Sequence, residues 1–173
     1  MTDNLFKVIL TSTEIINYPI TNCPFLIPNT QYLYSGANMY ANVKWHGGLS
    51  FTGNAQSGFQ VPISSGDENS GFRPLELFTL GLAGCTAMDV ISILEKKRQQ
   101  VTDFQVNVDI LDRAQEYPKV WNRIQIEYIV TGKNVDPTAV ERAIELSKTK
   151  YCPASAMLEK GMQIEHEYKI VEA

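Results

Sequence analysis

Three cysteines, Cys23, Cys85 and Cys152, are the side chains best able to carry chemistry in this sequence. Cys152 stands directly before Pro153 and the helix-forming run ASAMLEK, at or near a helix N-cap. Unpaired N–H groups and the helix dipole favour a thiolate there, and the thiolate is the nucleophilic form. A small residue filling a tight turn would account for the same position. Cys85 lies inside an apolar run, GLAGCTAMD, among small residues that let another element approach closely. Midway along a helix it gains nothing from the terminus, and Asp89, one turn later, raises its pKa if the two share a space. On local physics alone Cys85 reads as a core cysteine. Cys23 sits in irregular chain and reads as incidental. The only histidines are His46 and His166, and no CxxC or HxxxH spacing occurs, so no metal site is expected. Each histidine reads as an ordinary surface or satisfied residue. There is no P-loop, no GxGxxG and no GxSxG, and no cofactor is expected.

The elements that must position these thiols are legible from patterning. MYANVKW, LSFTG and GFQVPI, separated by HGG and NAQSG turns, predict a three-stranded antiparallel meander. Pro74 suits the first position of a helix that runs to Glu95–Arg98, whose basic residues complement its C-terminal end. FQVNVDILDR and VWNRIQIEYIV alternate strictly and predict a strand pair joined through AQEYPK. Asp136 and Pro137 open a second helix to about Thr149. YCPASAMLEKG predicts a tight turn into a short third helix, and MQIEHEYKIV a last strand. The order βββ–α–ββ–α–α–β argues α+β architecture.

The whole chain has 173 residues with 44% hydrophobic and 20% charged side chains, an ordinary globular composition that excludes wholesale disorder. A formal charge of −4 gives no electrostatic reason to expect nucleic acid or an anionic membrane as partner. The run Leu77–Leu94 approaches the length of a membrane span, but Asp89 falls inside it, and no second span follows. A helix buried nearly all round in a soluble core accounts for it better. Three cysteines are too few for a disulfide scaffold, and the N-terminus shows no basic, then apolar, signal-like pattern. A reducing, cytoplasmic location is expected. Residues 1–38 contain three charges and Pro19, Pro24 and Pro28, with Phe6, Val8 and Leu10 briefly alternating, and read as an N-terminal extension.

PLELFTLGLAGCTAMDVISILEKKR, followed later by YCPASAMLEKG and preceded by a VKW–GG–F–G start, resembles the OsmC/Ohr superfamily (osmotically inducible protein C and organic hydroperoxide resistance protein). The closer likeness is to its OsmC-like branch, over Tyr40 to Ala173. The resemblance implies one domain over residues 39–173, with antiparallel sheets around a long buried central helix and two protomers interwoven as a homodimer. It also implies a thiol-dependent peroxidase in oxidative stress defence, acting on organic hydroperoxides or hydrogen peroxide. By position, Cys85 would attack the peroxide and Cys152 would resolve the sulfenic acid as a disulfide, which a small dithiol or a lipoylated protein then reduces.

The sequence departs from the family at the residues that hold the thiolate. The peroxidases use an Arg from the N-terminal sheet and a Glu directly after the helix-start Pro, whereas here no Arg precedes Arg73 and Leu75 follows Pro74. Glu76 is the nearest acid, half a turn out of phase with Cys85 in an ideal helix. Arg73 and Glu76 are therefore the expected assistants at the helix entrance, with Lys44 a weaker cation. The missing Arg favours a second reading, a small-molecule binding or redox-sensing protein with a dimer-interface pocket lined by Leu77, Phe78, Leu80 and Met88. A third leaves the cysteines as structural remnants.

Overall fold

The computed structural model describes residues 41–65 and 70–173. The expectations for Cys23, for residues 1–38 and for a first strand beginning at Met39 lie outside the described residues.

Strands β1 (Ala41–Gly47), β2 (Ser50–Ala55) and β3 (Gln60–Ser64) form the expected antiparallel meander in the order β1-β2-β3. Trp45 pairs with Phe51 across the hairpin. Gly47 and Gly48 close it with φ of 108° and 53°, a backbone that a side chain would resist. This sheet exposes apolar side chains, among them Val43 and Trp45, the latter 64% accessible.

Helix α1 (Pro74–Lys96) starts where Pro74 predicts. The Glu76 carboxylate accepts the Arg73 backbone N–H at 2.9 Å, satisfying one of the orphan donors at the helix start. Leu82, Thr86, Val90 and Leu94, four apart, form a buried stripe, and α1 packs on β4, α2, α3 and the turn between the last two. The opposite face is open, with Leu75, Phe78, Leu80 and Met88 exposed, Met88 by 74%. Among the described residues the expectation of a helix buried nearly all round is thus corrected, because the other described elements lie against one side of it.

Strands β4 (Gln100–Arg113) and β5 (Trp121–Lys133) pair antiparallel, with Val108 opposite Ile126. On β5 the alternate residues Ile124, Ile126, Tyr128 and Val130 are fully buried and form the floor of the core. Helix α2 (Pro137–Leu146) is capped by Asp136, whose side chain accepts the Thr138 N–H at 3.0 Å. Instead of running on to Thr149, the helix widens into a π-helical turn, Ser147–Tyr151, which delivers the chain to α3 (Pro153–Leu158).

Strand β6 (Gln163–Glu172) then lies parallel to β5, with His166 beside Ile126. The expectation of purely antiparallel sheets is corrected here. α2, the π turn and α3 return the chain to the starting end of β5, so β6 enters in the same direction. The result is α+β: a β1-β2-β3 sheet, a β4-β5-β6 sheet, and α1 packed with the short helices over the second.

Candidate active site

Helix α1 and the start of α3 bring Cys85 and Cys152 together across 67 residues of sequence. Their sulfurs lie 3.0 Å apart, with Cys152 donating to Cys85. A disulfide bond spans about 2.05 Å, so closing one requires the sulfurs to approach by about 1 Å. Cys152 is the N-cap of α3, as its position before Pro153 predicts. Its sulfur accepts the Ser155 backbone N–H at 3.4 Å and the Ser155 hydroxyl at 3.3 Å. Only 2% of Cys152 is accessible, whereas Cys85 is half-buried.

The field at Cys85 raises its pKa above the ordinary thiol value. Burial is the largest cause, followed by the Cys152 hydrogen bond; the Ala154 backbone opposes them, and the charges of Cys152 and Asp89 add to the rise. Among the described residues no cation contributes. The Glu76 carboxylate is occupied by the Arg73 backbone N–H at the helix start, and at 1.5 Å per residue Arg73 and Glu76 lie about 18 Å and about 14 Å along the axis from Cys85. Lys44 is exposed on β1. The structure therefore unites the two expected sulfurs and leaves the three expected assistants elsewhere in the chain.

In their place the sulfurs have a polar chain that sequence reasoning missed. Ser147 Oγ donates to Asp89 Oδ2 at 3.1 Å, and it is itself 3.0 Å from Thr86 Oγ1. Thr86 Oγ1 is 2.7 Å from Tyr128 Oη, which is 3.2 Å from His166 Nδ1. Thr86, Ser147 and Tyr128 are buried. Their hydrogens can be assigned from the carboxylate outward, because a carboxylate only accepts and each hydroxyl has one hydrogen to give. Ser147 gives its hydrogen to Asp89 and so accepts from Thr86. Thr86 in turn accepts from Tyr128, and Tyr128 accepts from His166. His166 is thereby the Nδ1–H tautomer, and its buried Nε2 is an acceptor without a partner among the described residues. Burial, then the Lys148 charge, pushes the His166 pKa down to about 4, which keeps the ring neutral. Burial also raises the Tyr128 hydroxyl to about 12. The reading of His166 as an ordinary surface or satisfied residue is corrected. The available signal was Thr86 and Asp89, polar residues on an apolar helix at one and four positions from Cys85. His46, by contrast, bonds Thr52 Oγ1 at 2.8 Å on the exposed hairpin.

An apolar groove of about 320 Å³ opens beside the start of α1, lined by Leu75, Phe78, Val120, Trp121, Met157 and Leu158 among others. Of the four pocket residues expected from sequence, only Phe78 lines it.

The family model described as OsmC-like protein matches residues 66–167. Protein YhfA of Escherichia coli strain K12 is 40% identical over 135 residues, covering 78% of this chain and 100% of its own. The crystal structure of an OsmC-like protein from Mycoplasma pneumoniae aligns with a TM-score of 0.65 at 18% identity, over 79% of this chain and 99% of that one. The organic hydroperoxide resistance protein OhrB of Bacillus subtilis aligns with a TM-score of 0.53 at 15% identity, over 77% and 98%. At those identities the two structures establish a shared fold.

Proposed function

The chain belongs to the OsmC-like family, and from that membership we propose that it is a thiol-dependent peroxidase, reducing organic hydroperoxides or hydrogen peroxide through Cys85 and Cys152. The observation that carries the reading is the 3.0 Å approach of two sulfurs distant in sequence. Bacillus subtilis OhrB, an organic hydroperoxide resistance protein by name, shares the fold and supports the substrate class.

Cys85 attacks because it is the accessible sulfur of the pair. Cys85 first gives up its proton; the thiolate sulfur bonds to one peroxide oxygen, the O–O bond breaks, and the departing alkoxide takes up a proton. The products are an alcohol and a Cys85 sulfenic acid. The Cys152 sulfur then attacks Cys85 sulfur, a water molecule leaves, and a disulfide remains. A small dithiol or a lipoylated protein supplies two electrons and two protons to restore both thiols. A cycle that must reset to free thiols suits a reducing compartment, which supports a cytoplasmic site of action.

The active form is a homodimer. The open face of α1 and the exposed Val43 and Trp45 of the first sheet leave apolar surface uncovered, as expected of a chain that buries it against a second copy.

Single-turnover consumption of cumene hydroperoxide by the reduced protein tests the assignment. Wild type consumes one equivalent and ends as the Cys85–Cys152 disulfide, while Cys152→Ser consumes one equivalent and stops at a sulfenic acid trapped by dimedone on Cys85. A Cys85→Ser protein that consumes peroxide as fast as wild type refutes the mechanism. A second reading, binding or redox sensing without turnover, is favoured by the lack of a cation in the field at Cys85 among the described residues. It expects disulfide formation with peroxide but no sustained turnover when dithiol is supplied.

A further inference from the structure

The sulfurs of Cys85 and Cys152 and a carboxylate oxygen of Asp89 all lie within 4.8 Å of one another. Cys85 and Asp89 are four residues apart, which stacks them on one face of α1. Cys152 reaches them from the start of α3. When the thiols are ionised, the cluster carries three negative groups. Among the described residues neither Arg nor Lys pairs with Asp89, the one ion pair being Arg123 with Glu165.

Two of the three donors are held by groups outside the cluster. Ser147 fixes Asp89 through Oδ2, and Ser147 is itself held by Thr86. The Ser155 N–H and hydroxyl both point at the Cys152 sulfur. Convergent donors, each oriented by a hydrogen-bonded neighbour, form the arrangement that metal sites use to fix their ligands.

We propose that the reduced protein binds one soft divalent cation of the zinc class through Cys85 Sγ, Cys152 Sγ and an Asp89 carboxylate oxygen. Thiolate ligands select zinc, cadmium or similar ions over magnesium or calcium, which take oxygen. Three protein ligands leave the fourth tetrahedral position for water or a small anion on the half-exposed Cys85 side. At a metal–sulfur distance of about 2.3 Å, two tetrahedral thiolates stand roughly 3.7 Å apart, so the sulfurs part by about 0.7 Å from where they now lie. Binding is not a redox step: the ion replaces two thiol protons, which leave to solvent, and no electrons move. Ion and disulfide are mutually exclusive, because both use the same sulfurs. A bound ion therefore shields the pair from peroxide, and oxidation expels the ion. Spacing rules miss this site because its third ligand is 67 residues from the first.

The inference does not rest on peroxidase activity, and its test uses no peroxide. Cadmium chloride is titrated anaerobically into the reduced full chain and into Cys23→Ser, which removes the third thiol. The thiolate-to-cadmium charge-transfer band is followed in the ultraviolet, with circular dichroism as a check on folding. One ion per chain is expected, with the intensity of two thiolates, unchanged in Cys23→Ser and absent from the disulfide form. Cys85→Ser and Cys152→Ser each halve the intensity. Asp89→Asn and Ser147→Ala keep the two-thiolate band but weaken affinity by about 10- to 100-fold. Absence of the band at one equivalent overturns the proposal. So does affinity within twofold of wild type in both Asp89→Asn and Ser147→Ala, which would mean that two thiols alone capture the ion.

Discussion

Replacing Tyr128 by Phe tests the direction of the hydrogen-bonded chain that ends at Asp89. The hydroxyl lies 2.7 Å from Thr86 and 3.2 Å from His166, on a fully buried ring. Its removal deletes two hydrogen bonds, each worth about 0.5–1.5 kcal/mol net. It also leaves the His166 Nδ1–H without an acceptor. Tautomerisation offers no escape, because Nε2 has no partner among the described residues either. Stranding a buried donor costs about 1–3 kcal/mol, so with the overlap between these terms Tyr128→Phe should destabilise the chain by about 2–4 kcal/mol. His166→Leu behaves differently. Tyr128 keeps Thr86 as the acceptor of its hydrogen, and the orphaned Nε2 disappears with the ring, so the change should cost less than about 1 kcal/mol. Adding His166→Leu to Tyr128→Phe should recover about 1–3 kcal/mol, a coupling visible in a double-mutant cycle. Urea denaturation followed by circular dichroism measures all four proteins. If His166→Leu costs 2 kcal/mol or more while Tyr128→Phe is nearly neutral, Tyr128 donates to His166 and the assigned direction is wrong.

Folded His166 takes its proton near pH 4 and the unfolded residue near 6.5, so between those values the unfolded chain binds more protons. Stability from this residue is complete above pH 6.5 and lost as the pH falls to 4; allowing for partial solvent screening, wild type should lose on the order of 2 kcal/mol more than His166→Leu over that range in urea titrations. Asp89→Asn removes the smallest of the influences that raise Cys85, behind burial and Cys152, so alkylation of Cys85 by iodoacetamide at pH 7.5 should quicken modestly, and a slower reaction would contradict the assigned field. Phe78→Glu places a charge on the open face of α1, where Phe78 is 59% accessible, and should shift the protein to monomer in sedimentation velocity without unfolding it. An unchanged dimer would place the interface elsewhere.

What could be read from the sequence was local. Pro74, the Asp136 cap, the Gly47–Gly48 turn and the Cys152 cap each rest on residues within a few positions of one another, and each stands where the sequence puts it. The strict alternation of VWNRIQIEYIV likewise predicts strand β5, on which Ile124, Ile126 and Tyr128 form one buried face. What escaped depends on contacts that no short window contains. The parallel entry of β6 follows from the route of α2 and α3, not from the alternation of its own residues. Thr86 meets Tyr128 across 42 residues and Ser147 across 61. Apolar composition suggested that α1 is covered on all sides, but composition cannot say whether the cover comes from the same chain. The approach of Cys85 to Cys152 came from the family resemblance; local physics had left Cys85 as a core residue.

Access and ionisation pull in opposite directions at the sulfur pair, and the balance shapes what the site can do. Peroxide can meet Cys85 but not the nearly inaccessible Cys152. Yet burial holds the Cys85 proton on, and attack requires the thiolate. The chain has no arginine ahead of Arg73 to offset that burial. The second step suffers no such handicap. A sulfenic acid formed on Cys85 would find the resolving sulfur already about 3 Å away, at the separation where intramolecular reactions gain most from pre-set geometry. On the proposed mechanism, the site closes a disulfide quickly once oxidised and begins oxidation slowly. Its peroxide reaction should accelerate with pH well into the alkaline range while disulfide closure never limits the rate. A soft cation, by drawing the proton from Cys85 and occupying its sulfur at once, would act on the slow step and leave the fast one nothing to do.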